Sequence, residues 1–495
     1  MNILLVYPAC PQSYWSFHYA LKFIHRKASY PPLGLVTIAA MLPDTWDKRL
    51  VDMNVSRLRD RDIAWADYVF ISAMDIQRQS AREVISRCRE LGVKTVGGGP
   101  LFTCGYDQFP DVSHILCGEG ELTLPLFLAD LSAGHAEHIY TAEGWADLQK
   151  TPPPLWGLID MTKYASMNIQ YSRGCPYDCE FCSVTALFGH KPRCKSAEQV
   201  RAELSALYDA GWRGSVFFVD DNFIGNKRKL KEEILPALIG WMEERRYPFS
   251  FSTEASINLA DDTELMAQMI RAGFNTVFIG IETTNEESLN ECNKIQNKGR
   301  DLLLSVKQIQ AAGLEVQGGF IVGFDNDTTS VFGSIIDFIQ KSGIVSAMVG
   351  LLNAPKGTRL YQRLIEEKRL VKDYTGDNTD LTINFTPRMD QQSLLMGYKR
   401  IIDTIYSPRE YCQRVMGFLR EYHPPKPRIN KIRFRYIVAA LRSMIRLGIF
   451  AKGRRYYWQA VLWSLFHKPL LLPYAIKYAI YGYHYQRVYR DYGYR

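Results

Sequence analysis

Residues 167–182 read Met-Asn-Ile-Gln-Tyr-Ser-Arg-Gly-Cys-Pro-Tyr-Asp-Cys-Glu-Phe-Cys. The first four form a strand-type run, and Gly174 then breaks the chain into a loop that carries Cys175, Cys179 and Cys182. Further strand-type runs follow at 215–219, 250–253, 276–280, 315–322 and 345–352, with helical stretches between them. Strand and helix in alternation predict a parallel sheet. Six β/α units are fewer than the eight of a closed barrel, so the spacing predicts an open, partial (β/α)6 barrel.

The same rhythm precedes the loop. Strand signals at 3–7, 49–53, 68–73, 94–96 and 115–117 alternate with helical signals at 33–42, 80–91 and 122–131. This pattern predicts a doubly wound, Rossmann-like α/β unit, whose ligands bind at the carboxyl ends of its strands. Two glycine turns sit at such ends: Gly97, Gly98 and Gly99, then Gly118, Glu119, Gly120 and Glu121. Thr151-Pro152-Pro153-Pro154 reads as a linker, and His423-Pro424-Pro425-Lys426-Pro427 as a second. Three units are therefore expected, at 1–150, 151–364 and 365–495. The third unit, 365–495, is expected to be mostly helical and basic; within it the stretch 365–425 reads as mixed and polar, and the tail beyond as basic and aromatic.

Hydrophobic residues make up 47% of the 495 and charged residues 23%, which excludes global disorder, a collagen-like repeat and a polytopic membrane protein. The N-terminus opens on a strand-type run with no basic region before it, so no signal peptide and a cytoplasmic location are expected. Ten cysteines in so long a chain do not make a disulfide scaffold. The net charge of +8 is unevenly spread: from Lys426 to Arg495 there are fifteen Lys or Arg and one acid, Asp491, so the rest of the chain is net acidic.

The cysteine spacing is C-x3-C-x2-C. Three thiolates on one tight loop can hold three corners of a cubane iron–sulfur cluster and leave the fourth iron open to chelate a small molecule. The alternative is a zinc site completed by Cys194 or His190, although no second cysteine knuckle follows in the sequence.

In its context, a loop with Phe181 before the last cysteine and at the end of the first strand of a β/α series, this motif resembles the radical SAM superfamily. The resemblance implies a [4Fe-4S] cluster on Cys175, Cys179 and Cys182. Its open iron would bind S-adenosylmethionine, whose reductive cleavage gives a 5′-deoxyadenosyl radical. It also implies cofactor contacts from Phe181, from Asp221 and Asn222 after the second strand, from Glu254 after the third, from Glu282 after the fourth, and from the glycine run around Gly319 on the fifth. Each acid alone could equally be a helix cap or a surface charge; their order along successive strand ends favours the site.

A doubly wound unit before such a core resembles the cobalamin-binding subclass, in which cobalamin relays a methyl group to an unreactive carbon. That likeness implies cobalamin contacts at Gly97, Gly98, Gly99, Gly118 and Glu119. The Asp-x-His-x-x-Gly motif of many cobalamin domains is absent. Asp111-Val112-Ser113-His114 is off by one, and His18, His25 and His114 read as structural or surface residues. Stretches at 13–17, 170–176, 188–193 and 217–227 are similar to the hopanoid C-2 methylases. The expected reaction is methyl transfer to an inert carbon of a hydrophobic small molecule or lipid, with flavodoxin or ferredoxin as electron donor. The basic aromatic tail is expected at the headgroup layer of an anionic membrane, against two alternatives: packing on the barrel or, least favoured, binding nucleic acid. Two other functions remain in view: a non-methylating radical SAM reaction such as carbon–carbon bond formation, cyclisation or tetrapyrrole modification, and a non-catalytic iron–sulfur or cobalamin sensor.

Overall fold

The computed structural model describes residues 1–425 and 434–493. Lys426 and Pro427 of the second proline-rich stretch, and the basic residues Arg428, Lys431, Arg433 and Arg495 of the tail, lie outside the described residues.

The first sheet is built on β1 (Asn2–Tyr7), with β2 (Asp47–Asp52) on one side and β3 (Tyr68–Ser72), β4 (Lys94–Gly98), β5 (His114–Leu116) and β6 (Ile139–Tyr140) on the other. All pairings are parallel. Leu4 and Val6 pack on one helix layer with Val84, Ile85 and Leu101, while Ile3 and Leu5 pack on the opposite layer with Leu35, Ala39 and Leu124. A strand buried on both faces has no polar side to alternate, which is why β1 reads as one apolar run. The direction of strand addition reverses between β1 and β3, and at such a switch point a doubly wound sheet opens a crevice at its carboxyl edge. Only β6 is absent from the sequence reading; at two residues it is too short to show a period.

The second sheet begins with β7 (Met167–Ile169). An antiparallel ribbon of β8 (Ser172–Arg173) and β9 (Arg193–Cys194) follows it. The sheet then continues through β10 (Ser215–Phe218), β11 (Ser250–Ala255), β12 (Phe274–Glu282), β13 (Glu315–Val322) and β14 (Ala347–Leu351), all parallel and in sequence order. β14 does not pair with β7, so the barrel is open, as six units require. Burial alternates along β11, with Phe251, Thr253 and Ala255 turned to the helices and Ser252 and Glu254 to the lumen.

The segment at 365–425 is helical, as expected of the third unit, and buries more apolar surface than its mixed, polar composition suggests. It holds two amphipathic helices, Gln391–Ile405 and Pro408–Glu421, whose buried Leu394, Tyr398, Ile401, Ile402 and Ile405 recur at helical spacing. Polar residues between those positions mask the period in a linear reading. The tail forms helices at Phe434–Ser443, Met444–Ile449, Arg454–His467 and Leu472–Asp491. No helix among the described residues is long and apolar enough to cross a membrane.

Most of the tail's tyrosines turn inward. Tyr478, Tyr485 and Tyr489 are buried, and the Tyr485 ring stacks on Tyr14 at 4.3 Å between centroids. Tyr406 donates to the Ala347 carbonyl at 2.6 Å, Tyr398 to that of Val349 at 3.0 Å, and Tyr485 to the Ser346 hydroxyl at 3.0 Å. Tyrosine hydroxyls thus cap the edge strand of the open barrel, where an uncovered edge would invite pairing with another chain. Segment 13–24 of the N-terminal unit is wedged into the same layer, with His484 Nε2 2.9 Å from the Tyr14 carbonyl.

Candidate active site

Three acid and amide side chains at the end of β10 shape the cysteine loop. Asp220 accepts from the backbone N–H of Tyr171 at 3.2 Å, from that of Ser172, and from the Ser172 hydroxyl at 2.6 Å. Asp221 accepts from the Gly174 N–H at 3.0 Å. Gly174 has φ +92°, and a Cβ there would lie 3.0–3.1 Å from the carbonyl oxygens of Gly189, Lys191 and Phe188, so the turn into the cysteines demands glycine. Asn222 Nδ2 lies 3.9 Å from Cys175 Sγ, and its Oδ1 accepts from the Ser256 N–H at 3.2 Å. Gln296 Nε2 donates to Cys179 Sγ at 3.7 Å.

Burial pushes all three thiols above the ordinary cysteine value, Cys182 to about 12, while Lys294 acts against the rise at each. The Lys294 ammonium is itself buried, which would lower it, but Glu282 at 2.6 Å and Cys179 hold it above its ordinary value. Buried sulfurs with amide donors and a nearby ammonium suit a bound, negatively charged iron–sulfur cluster, because hydrogen bonds and charge at the sulfurs set its potential. A tetrahedral zinc site would need a fourth ligand beside these three. Among the described residues no set of three His, Cys, Asp or Glu side chains converges on one ion. Cys194 faces Tyr171, and the exposed His190 lies 3.9 Å from Asp178.

The remaining sequence-derived candidates fall into two groups. Phe181 packs edge-on to Phe324 at 6.2 Å and lies 6.0 Å from Lys294 Nζ, beside the loop. Glu254 faces the lumen, where burial and the neighbouring Asp221 and Asp220 push its carboxyl up to about 8. Glu282 has φ +62° at a register shift of β12 and is held by Lys294. Asp221 is pushed up to about 6 by burial. These four surround the cysteines, although the carboxylates of Asp221 and Glu282 already have partners within the chain.

The glycines have explanations inside the protein. At Gly319 a Cβ would meet Phe278 Cζ at 2.7 Å, so its bare backbone makes room for that ring. At Gly97 a Cβ would meet Phe102 Cδ1 at 2.9 Å, and at Gly99, with φ +87°, the Ser72 Oγ at 2.9 Å. At Gly98 a Cβ would meet only the Leu116 carbonyl oxygen, at 3.8 Å, and Gly118, with φ +80°, has open space beside it. The Glu119 side chain departs most from a ligand contact. Its buried carboxylate takes Arg173 and Arg193, each at 2.9 Å, and the Ala146 N–H at 2.8 Å. His114 is buried beside Phe127 and Tyr68, away from the carboxyl edge of its sheet.

That ion-pair network joins the two sheets. Arg173 and Arg193 face each other across the ribbon that brackets the cysteine loop. Arg173 reaches both Glu119 and Glu121, the latter at 2.7 Å. Burial would raise the Glu121 carboxyl, but the Arg173 guanidinium holds it below its ordinary value. The loop after β5, at the carboxyl edge of the first sheet, is thereby fixed to the loop that carries the cysteines. The Thr151–Pro154 stretch is equally tied down: Gln199 donates to the carbonyls of Leu148, Gln149 and Thr151, and the Thr151 hydroxyl to Glu121. Sequence reasoning missed Lys294, Gln296 and Asp220 and the two arginines. The position of Asp220 beside Asp221 was a usable signal; nothing in the spacing marks Lys294 or Gln296.

The barrel lumen mixes apolar and polar side chains, with Asn168, Ser252, Glu254 and Gln317 on the same face as the apolar ones. Phe217, Phe278, Ile321 and Met348 occupy alternate positions of their strands with Glu254. The N-terminal unit adds Trp15, edge-on to Phe278 at 5.5 Å, and Tyr30, tilted on Phe217 at 5.1 Å.

Comparison with known proteins agrees with this architecture. Residues 169–339 match the model of the radical SAM superfamily, 23–128 that of the B12 binding domain, and 358–493 a domain of unknown function, DUF4070. An uncharacterized methyltransferase of Synechocystis sp. is 38% identical over 96% of this chain and 90% of its own length. The hopanoid C-2 methylase of Rhodopseudomonas palustris is 34% identical over 93% of this chain and 89% of its own length. The chain belongs to the B12-binding radical SAM methyltransferase family. Solved structures share the fold of this radical SAM methyltransferase. The cobalamin-dependent S-adenosylmethionine radical enzyme OxsB, with aqua-cobalamin and S-adenosylmethionine bound, has a TM-score of 0.62 at 15% identity, covering 99% of this chain and 79% of that one. The methyltransferase TsrM of Kitasatospora setae, with cobalamin and a [4Fe-4S] cluster bound, has a TM-score of 0.57 at 14% identity, covering 92% and 97%. The cofactor set of the family is an iron–sulfur cluster, S-adenosylmethionine and cobalamin.

Proposed function

We propose that this methyltransferase methylates an unactivated carbon of a hydrophobic, membrane-resident substrate, of which a hopanoid-like polycyclic lipid is one example. The observation that carries this reading is the junction of Glu119 and Glu121 with Arg173 and Arg193, which brings the carboxyl edge of a B12-binding unit to the rim of a cysteine loop above a lumen partly walled by aromatic side chains. The hopanoid C-2 methylase at 34% identity supports the substrate class.

In this reading the units are 1–150, 151–364 and 365–495. Cys175, Cys179 and Cys182 hold the cluster. Phe181, Asp221, Asn222, Glu254, Glu282 and Gly319 line the S-adenosylmethionine position, and Gly97, Gly98, Gly99 and Gly118 the cobalamin edge. Glu119 anchors that edge. When bound, the three cofactors supply the radical that opens the C–H bond and the methyl group that replaces the hydrogen. The aromatic side chains of the lumen exclude water and pack on an apolar skeleton. The enzyme is cytoplasmic, draws its electron from a flavodoxin or ferredoxin, and meets the membrane peripherally.

The test is anaerobic incubation with S-adenosylmethionine carrying a deuterated methyl group and a bacterial membrane lipid extract. A labelled methyl group in an apolar product is expected. Unlabelled lipids beside abundant 5′-deoxyadenosine would contradict the reading and point to a non-methylating reaction.

A further inference from the structure

The tail helices have two unlike faces. One packs inward: Ala439, Leu447, Tyr457, Val461 and Ile480 join Ala20 and Phe23 in a small core. Trp458 lies over Gly448, its Nε1–H donating to the Gly448 carbonyl at 2.9 Å, and so joins the 444–449 turn to the Arg454–His467 helix. The outward face is aliphatic and aromatic where a soluble helix would be polar. Ile437, Leu441, Ile445 and Ile449 follow one another at four-residue steps, and all are exposed. Phe450 at the turn is 79% exposed, Phe466 76% and Leu470 66%.

Scattered exposed apolar residues are ordinary, but a four-step row along one helix, with further large exposed apolar residues on the next, marks a covered surface. The charge around it identifies the cover. The chain has no acid between Tyr422 and Arg490. Arg446, Lys452, Arg454 and Arg455 are exposed, and among the described residues none of them is paired with a carboxylate. Apolar side chains projecting from helices that carry unpaired basic residues fit an anionic bilayer surface, with chains dipping below the headgroups and cations staying among the phosphates. Nucleic acid would use the cations and leave Phe450 and Phe466 with no partner. A second copy of this chain would bring like charges together.

We propose that the outward face of residues 436–470 is a docking surface for an anionic lipid bilayer. The surface is not the aromatic set a linear reading selects, because most of those rings are core; it is Ile437, Leu441, Ile445, Phe450, Phe466 and Leu470. Docking rests on the substrate reading above only for its purpose: it would bring a membrane-resident substrate to the enzyme.

The experiment is vesicle flotation of the full-length protein, with phosphatidylcholine vesicles compared to vesicles containing phosphatidylglycerol. The wild type is expected to float with the anionic vesicles and to be released by high salt. Phe450→Ser with Phe466→Ser should weaken binding by at least about tenfold, and Arg454→Glu with Arg455→Glu by about tenfold or more. Circular dichroism of both variants should match the wild type, since all four side chains are exposed. No flotation, or flotation unchanged in the variants, would overturn the proposal. So would a dimer that Phe450→Ser with Phe466→Ser converts to monomer. Retention of single-stranded DNA lost in Arg454→Glu with Arg455→Glu, in the absence of flotation, would overturn it too. Flotation needs neither cofactor nor turnover, so its failure leaves the methylase reading standing, and failure of methylation leaves docking standing.

Discussion

Lys294 faces all three cysteines of the loop and is paired with Glu282. A positive charge beside a cluster stabilises its reduced form. Lys294→Met should therefore move the cluster's reduction potential to more negative values, as read by potentiometric EPR. The variant also leaves Glu282 buried and unpaired, at a cost of about 3–5 kcal/mol in folding stability. Lys294→Met with Glu282→Gln should recover most of that cost in urea unfolding while keeping the shifted potential. Changing Cys175, Cys179 or Cys182 to Ala should each remove the cluster's visible absorption after anaerobic reconstitution; a variant that kept it would refute the ligand assignment. The cysteine spacing was legible because three ligands to one group must share a short loop. Lys294 was not, because it reaches the loop from a distant segment and leaves no local pattern. Asp220 was passed over for Asp221 because adjacent residues at a strand end point in different directions, which a sequence does not show.

Among the elements, the longer strands were the most legible part of the chain, since most are short apolar or alternating runs bounded by turn residues, whereas the two-residue β6, β8 and β9 carry no period. The helices at Gln391–Ile405 and Pro408–Glu421 were expected only as part of a helical unit and not placed, because polar residues dilute their apolar faces. The tail was legible only in part for a physical reason: tyrosine is at home both in a headgroup layer and in a core that offers its hydroxyl a carbonyl, so the sequence does not show which rings turn inward. Here β14 supplies such carbonyls to Tyr398 and Tyr406, and the Ser346 hydroxyl beside it accepts from Tyr485 of the tail. Packing between the last helix and the Pro408–Glu421 helix can be tested at Gly482, where a Cβ would come within 2.4 Å of the Tyr411 ring. Gly482→Val should cost about 1–3 kcal/mol through overpacking, seen as a lower urea midpoint. His484 gives the same layer a pH dependence. Burial lowers its imidazole from 6.5 to about 4, against a smaller rise from its bond to the Tyr14 carbonyl. As pH falls from about 6.5 to 4, the unfolded chain gains a proton that the folded chain refuses, so this contribution to stability is full above 6.5 and is lost across that window. Urea midpoints should fall over that range, with a shallower fall in His484→Gln.

For the whole molecule, three units act as one because charged and aromatic side chains cross between them. The division into a doubly wound unit, an open barrel and a helical tail followed from the sequence. The junction did not, since Glu119 and Glu121 meet Arg173 and Arg193 only after both sheets have formed. Glu119→Ala leaves two arginines short of a buried partner. It should cost about 3–5 kcal/mol, seen in thermal unfolding, and should weaken corrinoid binding without removing the cluster. The central claim is that this junction unites a B12-binding edge and a radical SAM site in one methylating enzyme. The most direct measurement of it is anaerobic: reconstitute the cluster, supply hydroxocobalamin, remove the excess, and quantify bound corrinoid together with the products of S-adenosylmethionine turnover. The account predicts one corrinoid per chain and both S-adenosylhomocysteine and 5′-deoxyadenosine. Cleavage to 5′-deoxyadenosine alone, with no corrinoid retained, would contradict it.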